Sequence, residues 1–126
     1  MLKIACCGLA STRMKNIIEK NFIADEVEVI TLPDIQAVRK IKAGEIDYYF
    51  GTCHTGGGGS LATAIAILGY TNCLVLSRYG YCPKEAEVKE KVANGNHKAF
   101  GMVEAHTEML TIPLVKALLE KNTITK

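Results

Sequence analysis

The chain has no tryptophan, and its other aromatics are few and scattered: five Tyr and three Phe among 126 residues. It has no block of one charge either, since 15 basic and 13 acidic residues are interspersed to a net +2. A nucleic-acid interface, which needs a basic stripe interleaved with stacking aromatics, therefore finds no support. The longest apolar run, Leu61 to Leu68, falls far short of the roughly 20 residues that a membrane helix requires. No membrane insertion is expected. The opening MLKIACCG passes directly into a patterned segment without an export pattern, so a cytoplasmic location is expected. Five cysteines make an odd number, with no Cys-x-x-Cys pair and no zinc-like His spacing. Neither a disulfide framework nor a metal centre is expected, and no cofactor is called for.

Nearly half of the residues, 48%, are hydrophobic. That is enough for one substantial core, and with no linker or internal repeat the expectation is one domain over residues 1–126. Apolar runs of strand type alternate with segments of helical spacing. Lys3 to Cys7 reads as a strand, and Met14, Ile17, Ile18 and Phe22 mark one face of a helix after it. Val27 to Leu32 is a second strand, followed after Pro33 by a helix with Asp34 as N-cap and Gly44 at its close. Asp47 to Thr52 is a third strand, and Ser60 caps an apolar helix that Gly69 stops. Cys73 to Leu76 and Lys98 to Val103 complete five strands, with a charged helix between them and a terminal helix ending near Glu120. Pro113 is expected to kink or restart that last helix. The pattern predicts a three-layer α/β/α sandwich around a mostly parallel, doubly wound sheet of about five strands, flavodoxin-like or Rossmann-like.

In such sheets ligands bind beyond the carboxyl ends of the strands, where the strand order switches. Two loops are expected to share that edge: Gly8 to Thr12 after the first strand, and GTCHTGGGGS, residues 51–60, after the third. A linker would separate domains, whereas these glycines run from a strand straight into a helix. Successive glycines let backbone N–H groups converge on one point, and the helix N-terminus adds positive partial charge. The stretch therefore suits an anion, held by Thr52, His54, Thr55, Gly56, Gly57, Gly58, Gly59 and Ser60, with Gly8, Ser11 and Thr12 facing them. A plain tight turn is the structural alternative. The P-loop pattern and a true GxGxxG are both missing, which argues against nucleotides. Cys53, at the strand end, is placed to have its thiolate stabilised as base or nucleophile, or else is a small residue closing a buried strand.

The segments DYYFGTCHTGGGGSLATAIAILGY, LKIACCGLASTRMKNIIE and GNHKAFGMVEAHTEMLTIPLV together resemble the uncharacterised bacterial YhfU-like family over essentially the whole chain. That resemblance implies no activity. A more distant one does: Cys53, Thr55, Gly56, Gly58 and Ser60 fall where the type B ribose-phosphate isomerases carry Cys-Gly-Thr-Gly-x-Gly-x-Ser, and Asp47 precedes them as an Asp does there. It implies Cys53 as the base that moves a proton between adjacent carbons, with loop N–H groups on the enediolate. The Asp-His-Ala-Gly turn of those enzymes is replaced here by Cys6, Cys7, Gly8, Leu9, Ala10, Ser11 and Thr12. His97 and His106, the latter near Glu104, are the substitutes available for acid-base work.

The first turn also resembles the phosphocysteine loop of the phosphotransferase IIB proteins, which implies Cys6 as phosphocarrier with Ser11 and Thr12 around it. Cys7 to Arg13 satisfies the Cys-x5-Arg spacing of the low-molecular-weight tyrosine phosphatases, but the Asp-Pro acid they need appears only reversed, as Pro33-Asp34. Cys6 and Cys7 are otherwise two small residues closing a buried strand. Finally, Leu61 to Leu68 leave almost no polar face on the helix after the glycines, and a homodimer through it would supply the missing cover. The function expected is binding of a small anionic or phosphorylated metabolite, as sensor or accessory subunit, with the Cys53 isomerase and the Cys6 phosphocarrier as alternatives.

Overall fold

The computed structural model describes residues 1–54 and 58–124, of which 58–60 and 124 are described by their backbone only. Strand and helix alternate throughout: β1 (Leu2–Gly8), α1 (Ser11–Asn21), β2 (Val27–Thr31), α2 (Asp34–Lys42), β3 (Tyr48–Cys53), α3 (Gly58–Leu68), β4 (Cys73–Val75), α4 (Glu85–Asn94), β5 (Ala99–Val103) and α5 (Thr107–Ile124). The five strands form one all-parallel sheet in the order β2-β1-β3-β5-β4. The order opens 2-1-3, as in flavodoxin-like sheets, but β5 lies inside and β4 takes the edge.

That order decides which face each helix covers. Parallel strands joined by right-handed crossovers place the helix on one face when the chain moves one way across the sheet, and on the other when it moves back. The steps β2 to β3 and β3 to β4 run in one direction, and α2 and α3 pack together on one face. The steps β1 to β2 and β4 to β5 run in the opposite direction, and α1 and α4 lie on the other face, where α5 fills the space between them.

The two faces differ in side-chain size because strand residues alternate. Toward α1, α4 and α5 the sheet presents Ile4, Cys6, Tyr48, Phe50, Phe100 and Met102. Phe50 meets Phe100 edge to face at 6.0 Å, a favoured aromatic geometry. Each large side chain buried here contributes about 2 kcal/mol. Toward α2 and α3 the residues are smaller, Ala5, Cys7 and Ala99 with Tyr49 among them, which lets two helices alone cover that face.

Three local expectations differ from the structure. Asp34 is the first residue of α2 and no side chain caps that helix; its carboxylate instead bonds the buried Tyr49 hydroxyl. The α3 helix begins at Gly58, so Ser60 lies inside the first turn and is not its N-cap. Helix α5 does not restart at Pro113 but runs as one element through it. Proline removes the bond to the carbonyl four residues back, and Met109, which carries that carbonyl, is 63% exposed. Water can take the freed oxygen. Burial of Leu110, Leu114, Val115 and Leu118 along the helix outweighs the lost bond.

Candidate functional site

The carboxyl edge of the sheet is where the loops diverge. The connection leaving β3 goes to the α2–α3 face, while those leaving its two neighbours, β1 and β5, go to the α1–α5 face. In open parallel sheets such a divergence marks the position of a crevice, here beside the β3 end. Cys53 closes that strand, in register with Val103 of β5, and Thr52 is in register with Gly8 of β1. Cys53 is half-buried and His54 exposed.

Thr52 ties the first loop to the third strand. Its hydroxyl accepts the Ala10 N–H at 2.8 Å and donates to the Cys7 carbonyl at 3.1 Å. Its own carbonyl accepts the Leu9 N–H at 3.3 Å. The side chain is 2% exposed and its hydrogen-bonding capacity is spent on backbone, so it positions the loop and has no proton left for a ligand. Gly8 makes the close approach possible. Its φ is +91°, and a Cβ there would stand 2.1 Å from the Thr52 carbonyl oxygen. Only glycine fits.

The turn so fixed delivers α1 with an uncapped N-terminus. No side chain caps it, and Ser11 and Thr12 sit in its first turn, Thr12 exposed. Its first N–H groups have no intrahelical partner, as at any helix start, and lie at the carboxyl edge of the sheet. Gly58, Gly59 and Ser60 form the first turn of α3 across the crevice. The expectations placed on Thr55, Gly56 and Gly57 lie outside the described residues.

On the β5 side, Arg13 joins α1 to the chain leaving the sheet. Its guanidinium donates to Glu108 through Nε at 3.0 Å and Nη2 at 2.8 Å, and to Glu104 through Nη1 at 2.8 Å. These bonds raise the Arg13 pKa and hold the Glu108 carboxyl below its ordinary value. Arg13 is thereby occupied by carboxylates, which removes the arginine from the Cys-x5-Arg comparison. His106 belongs to the short turn Glu104–His106 between β5 and α5. It is half-buried, and its Nδ1 has no hydrogen-bond partner among the described residues. Ser77, fully buried beyond β4, accepts the Val103 N–H at 2.9 Å and steadies the end of β5. Neither Ser77 nor Glu108 carries a motif that would reveal its role in the sequence.

The remaining candidates are separated from this edge. His97 precedes β5 at the opposite end of the sheet, one strand length of about 17 Å from His106. Burial, then the neighbouring Lys121 charge, lowers its pKa, and it does not join the crevice. Asp47 sits at that same far end, where its carboxylate accepts the Lys3 N–H at 2.8 Å. Cys6 and Cys7 are wholly buried on opposite faces of the sheet. Burial pushes the Cys6 thiol up, with Cys7 beside it adding to the effect; burial and then Asp34 push Cys7 up to about 12. A phosphocarrier cysteine must be an accessible thiolate, so the Cys6 alternative fails. No group of three or more His, Cys, Asp or Glu among the described residues is placed to hold a metal, and no helix among them is long and apolar enough to cross a membrane.

Comparison with known proteins fits this architecture. Uncharacterized protein YhfU from Escherichia coli (strain K12) is 35% identical over 108 residues, 86% of this chain and 91% of that protein, and YhfU from Shigella flexneri aligns equally. The crystal structure of a ribose 5-phosphate isomerase, RpiB, from Thermotoga maritima superposes with a TM-score of 0.64 over 94% of this chain and 86% of that one. At 17% identity that likeness is one of fold. The family model described as "Protein of unknown function DUF2620" matches residues 2–118, from the first strand into the last helix, and the chain belongs to that family.

Proposed function

We propose that this chain binds a small anionic or phosphorylated metabolite in the crevice between the ends of β1, β3 and β5, as a sensor or an accessory subunit. One observation carries the reading: Thr52 and Gly8 hold the uncapped start of α1 at the edge where β3 departs to the opposite face. The N-termini of α1 and α3, the helices that follow β1 and β3, carry partial positive charge that favours an anion. No free cationic side chain is needed, and Arg13 is already paired. The shared fold with a protein titled a ribose 5-phosphate isomerase makes a sugar phosphate a ligand to test first.

The test is a thermal-shift screen with ribose 5-phosphate, other sugar phosphates, short carboxylic acids and inorganic phosphate. A ligand of the folded state at 100 times its Kd adds about 2.7 kcal/mol of stability, which reads as a rise in Tm. Thr12→Asp should abolish that rise while leaving the unliganded Tm nearly unchanged, since an acidic residue is tolerated in a first helical turn. An unshifted Tm across the screen, or a shift that survives Thr12→Asp intact, removes the proposal.

A second reading, proton transfer by Cys53, is favoured by that residue's half-buried place at the end of β3, in register with Val103. It predicts deuterium uptake from solvent into a bound sugar phosphate, lost in Cys53→Ala. Pairing with a second copy through α3 is favoured by the helix surface, which has no charged side chain and leaves Ala62 and Ala66 exposed. Sedimentation should show a dimer that Ala66→Glu dissociates; a native monomer at 50 times the assay concentration would dismiss it.

A further inference from the structure

The sheet has an open edge at β4. Lys98 donates its N–H to the Asn72 carbonyl, and Leu76 donates to the Gly101 carbonyl, so even-numbered residues bond β5. Strand periodicity then turns the backbone of Cys73 and Val75 outward. The Cys73 N–H is taken by the Tyr70 carbonyl, which leaves the Cys73 carbonyl and both polar groups of Val75 facing away from the sheet. Among the described residues no strand pairs with them.

Two grooves run along this edge, of about 470 Å³ and about 350 Å³. Ile65 of α3, Leu74 and Val75 give the larger one an apolar wall, and Arg78, Lys91 and His97 line it as well. Arg78 and Lys91 recur in the smaller groove, and no described carboxylate lines either. Lys91 shares Glu87 at 3.1 Å, whereas Arg78 has no ion pair among the described residues and is exposed. Tyr70, Tyr79 and Tyr81 stand at the ends of the edge, 76%, 83% and 50% exposed. Tyr79 and Tyr81 are presented by a tight turn closed by Arg78 and Tyr81, with Gly80 at φ +84°. Aromatics and arginine around an apolar strip are the composition of protein interfaces.

We infer that the β4 edge receives an extended, acidic segment of a partner protein as an added strand. Unpaired main-chain groups call for a strand and not a helix. Exposed Arg78, without an ion pair among the described residues, calls for an acidic side chain, and the apolar wall of Ile65, Leu74 and Val75 calls for apolar ones alternating with it. A second copy pairing edge to edge about a two-fold axis would bring a second Arg78 to the junction, and Glu87 is already engaged by Lys91 and Tyr81. This inference is independent of the anion crevice, which lies at the carboxyl ends of β1 and β3.

The probe is a capped seven-residue peptide with Glu alternating with Val and Ile, titrated into isotope-labelled protein and followed by NMR. Saturation should shift the Val75 amide and slow its hydrogen exchange. Affinity should fall about tenfold in Arg78→Glu and weaken as salt rises. The same peptide with Lys in place of Glu should not bind. Equal binding of the Lys peptide, shifts that spare Val75, or protection of Val75 by concentration-dependent self-association without peptide would each overturn the inference. Unchanged dispersion of the remaining resonances in Arg78→Glu shows that a loss of affinity is not a loss of fold.

Discussion

Two small side-chain features hold the candidate site in shape, the missing Cβ of Gly8 and the hydroxyl of Thr52. Gly8→Ala must either move the Thr52 carbonyl or abandon φ +91°; a loss of about 3 kcal/mol is expected, read by urea unfolding. Thr52→Val keeps the shape but leaves the Ala10 N–H and the Cys7 carbonyl unpaired in a buried place. It should cost about 1–3 kcal/mol, with Thr52→Ser recovering much of it. The thiols offer a third measurement at this scale. Cys6 and Cys7, fully buried with raised pKa values, should escape iodoacetamide at pH 8 until the protein is unfolded. Labelling of Cys6 in the native protein at a rate near that of free thiol would contradict its buried place.

At the scale of elements, α1 and α5 are linked by Arg13, Glu104 and Glu108. The Glu108 carboxyl is held low in the folded state by the Arg13 hydrogen bond. A group lowered in this way lends stability above its unfolded pKa of about 4.3 and loses that stability as pH falls through the folded value. Because these side chains are partly exposed, 43% for Arg13 and 59% for Glu108, the contribution is about 0.5–1 kcal/mol. Denaturation at pH 6 and at pH 3 should show the native protein losing more than Glu108→Gln by that margin. An equal loss in both would mean the ion pair adds nothing. Helix α5 also illustrates how tertiary burial overrides a local signal: Pro113 reads as a break, and four buried aliphatic residues around it keep the helix whole.

For the whole molecule, the alternation of apolar strand runs with helical spacing was sufficient to predict five parallel strands in three layers. What it left open was order. Cys73–Val75 and Ala99–Val103 look equally central as sequence, and only packing places β5 inside and β4 at the edge. The turn at Gly8 was legible because glycine there marks backbone, at φ +91°, that no other residue allows. The joining hydroxyl of Thr52, the arginine clamp and Ser77 were not, because each depends on a partner 26 to 95 residues away. His97 and His106 are equivalent as letters, yet one strand's length divides them between opposite ends of the sheet.

Since β3 stands between two neighbours that exit to the other face, the crevice has a width set by strand spacing. β1 and β5 are two spacings apart, about 10 Å. With a hydrogen-bond length of about 3 Å taken at each end, a molecule bridging them needs about four linked heavy atoms. A bare inorganic anion can touch one wall only. On the proposed reading the sheet thus acts as a ruler, favouring ligands of at least about four linked heavy atoms before any side chain discriminates among them.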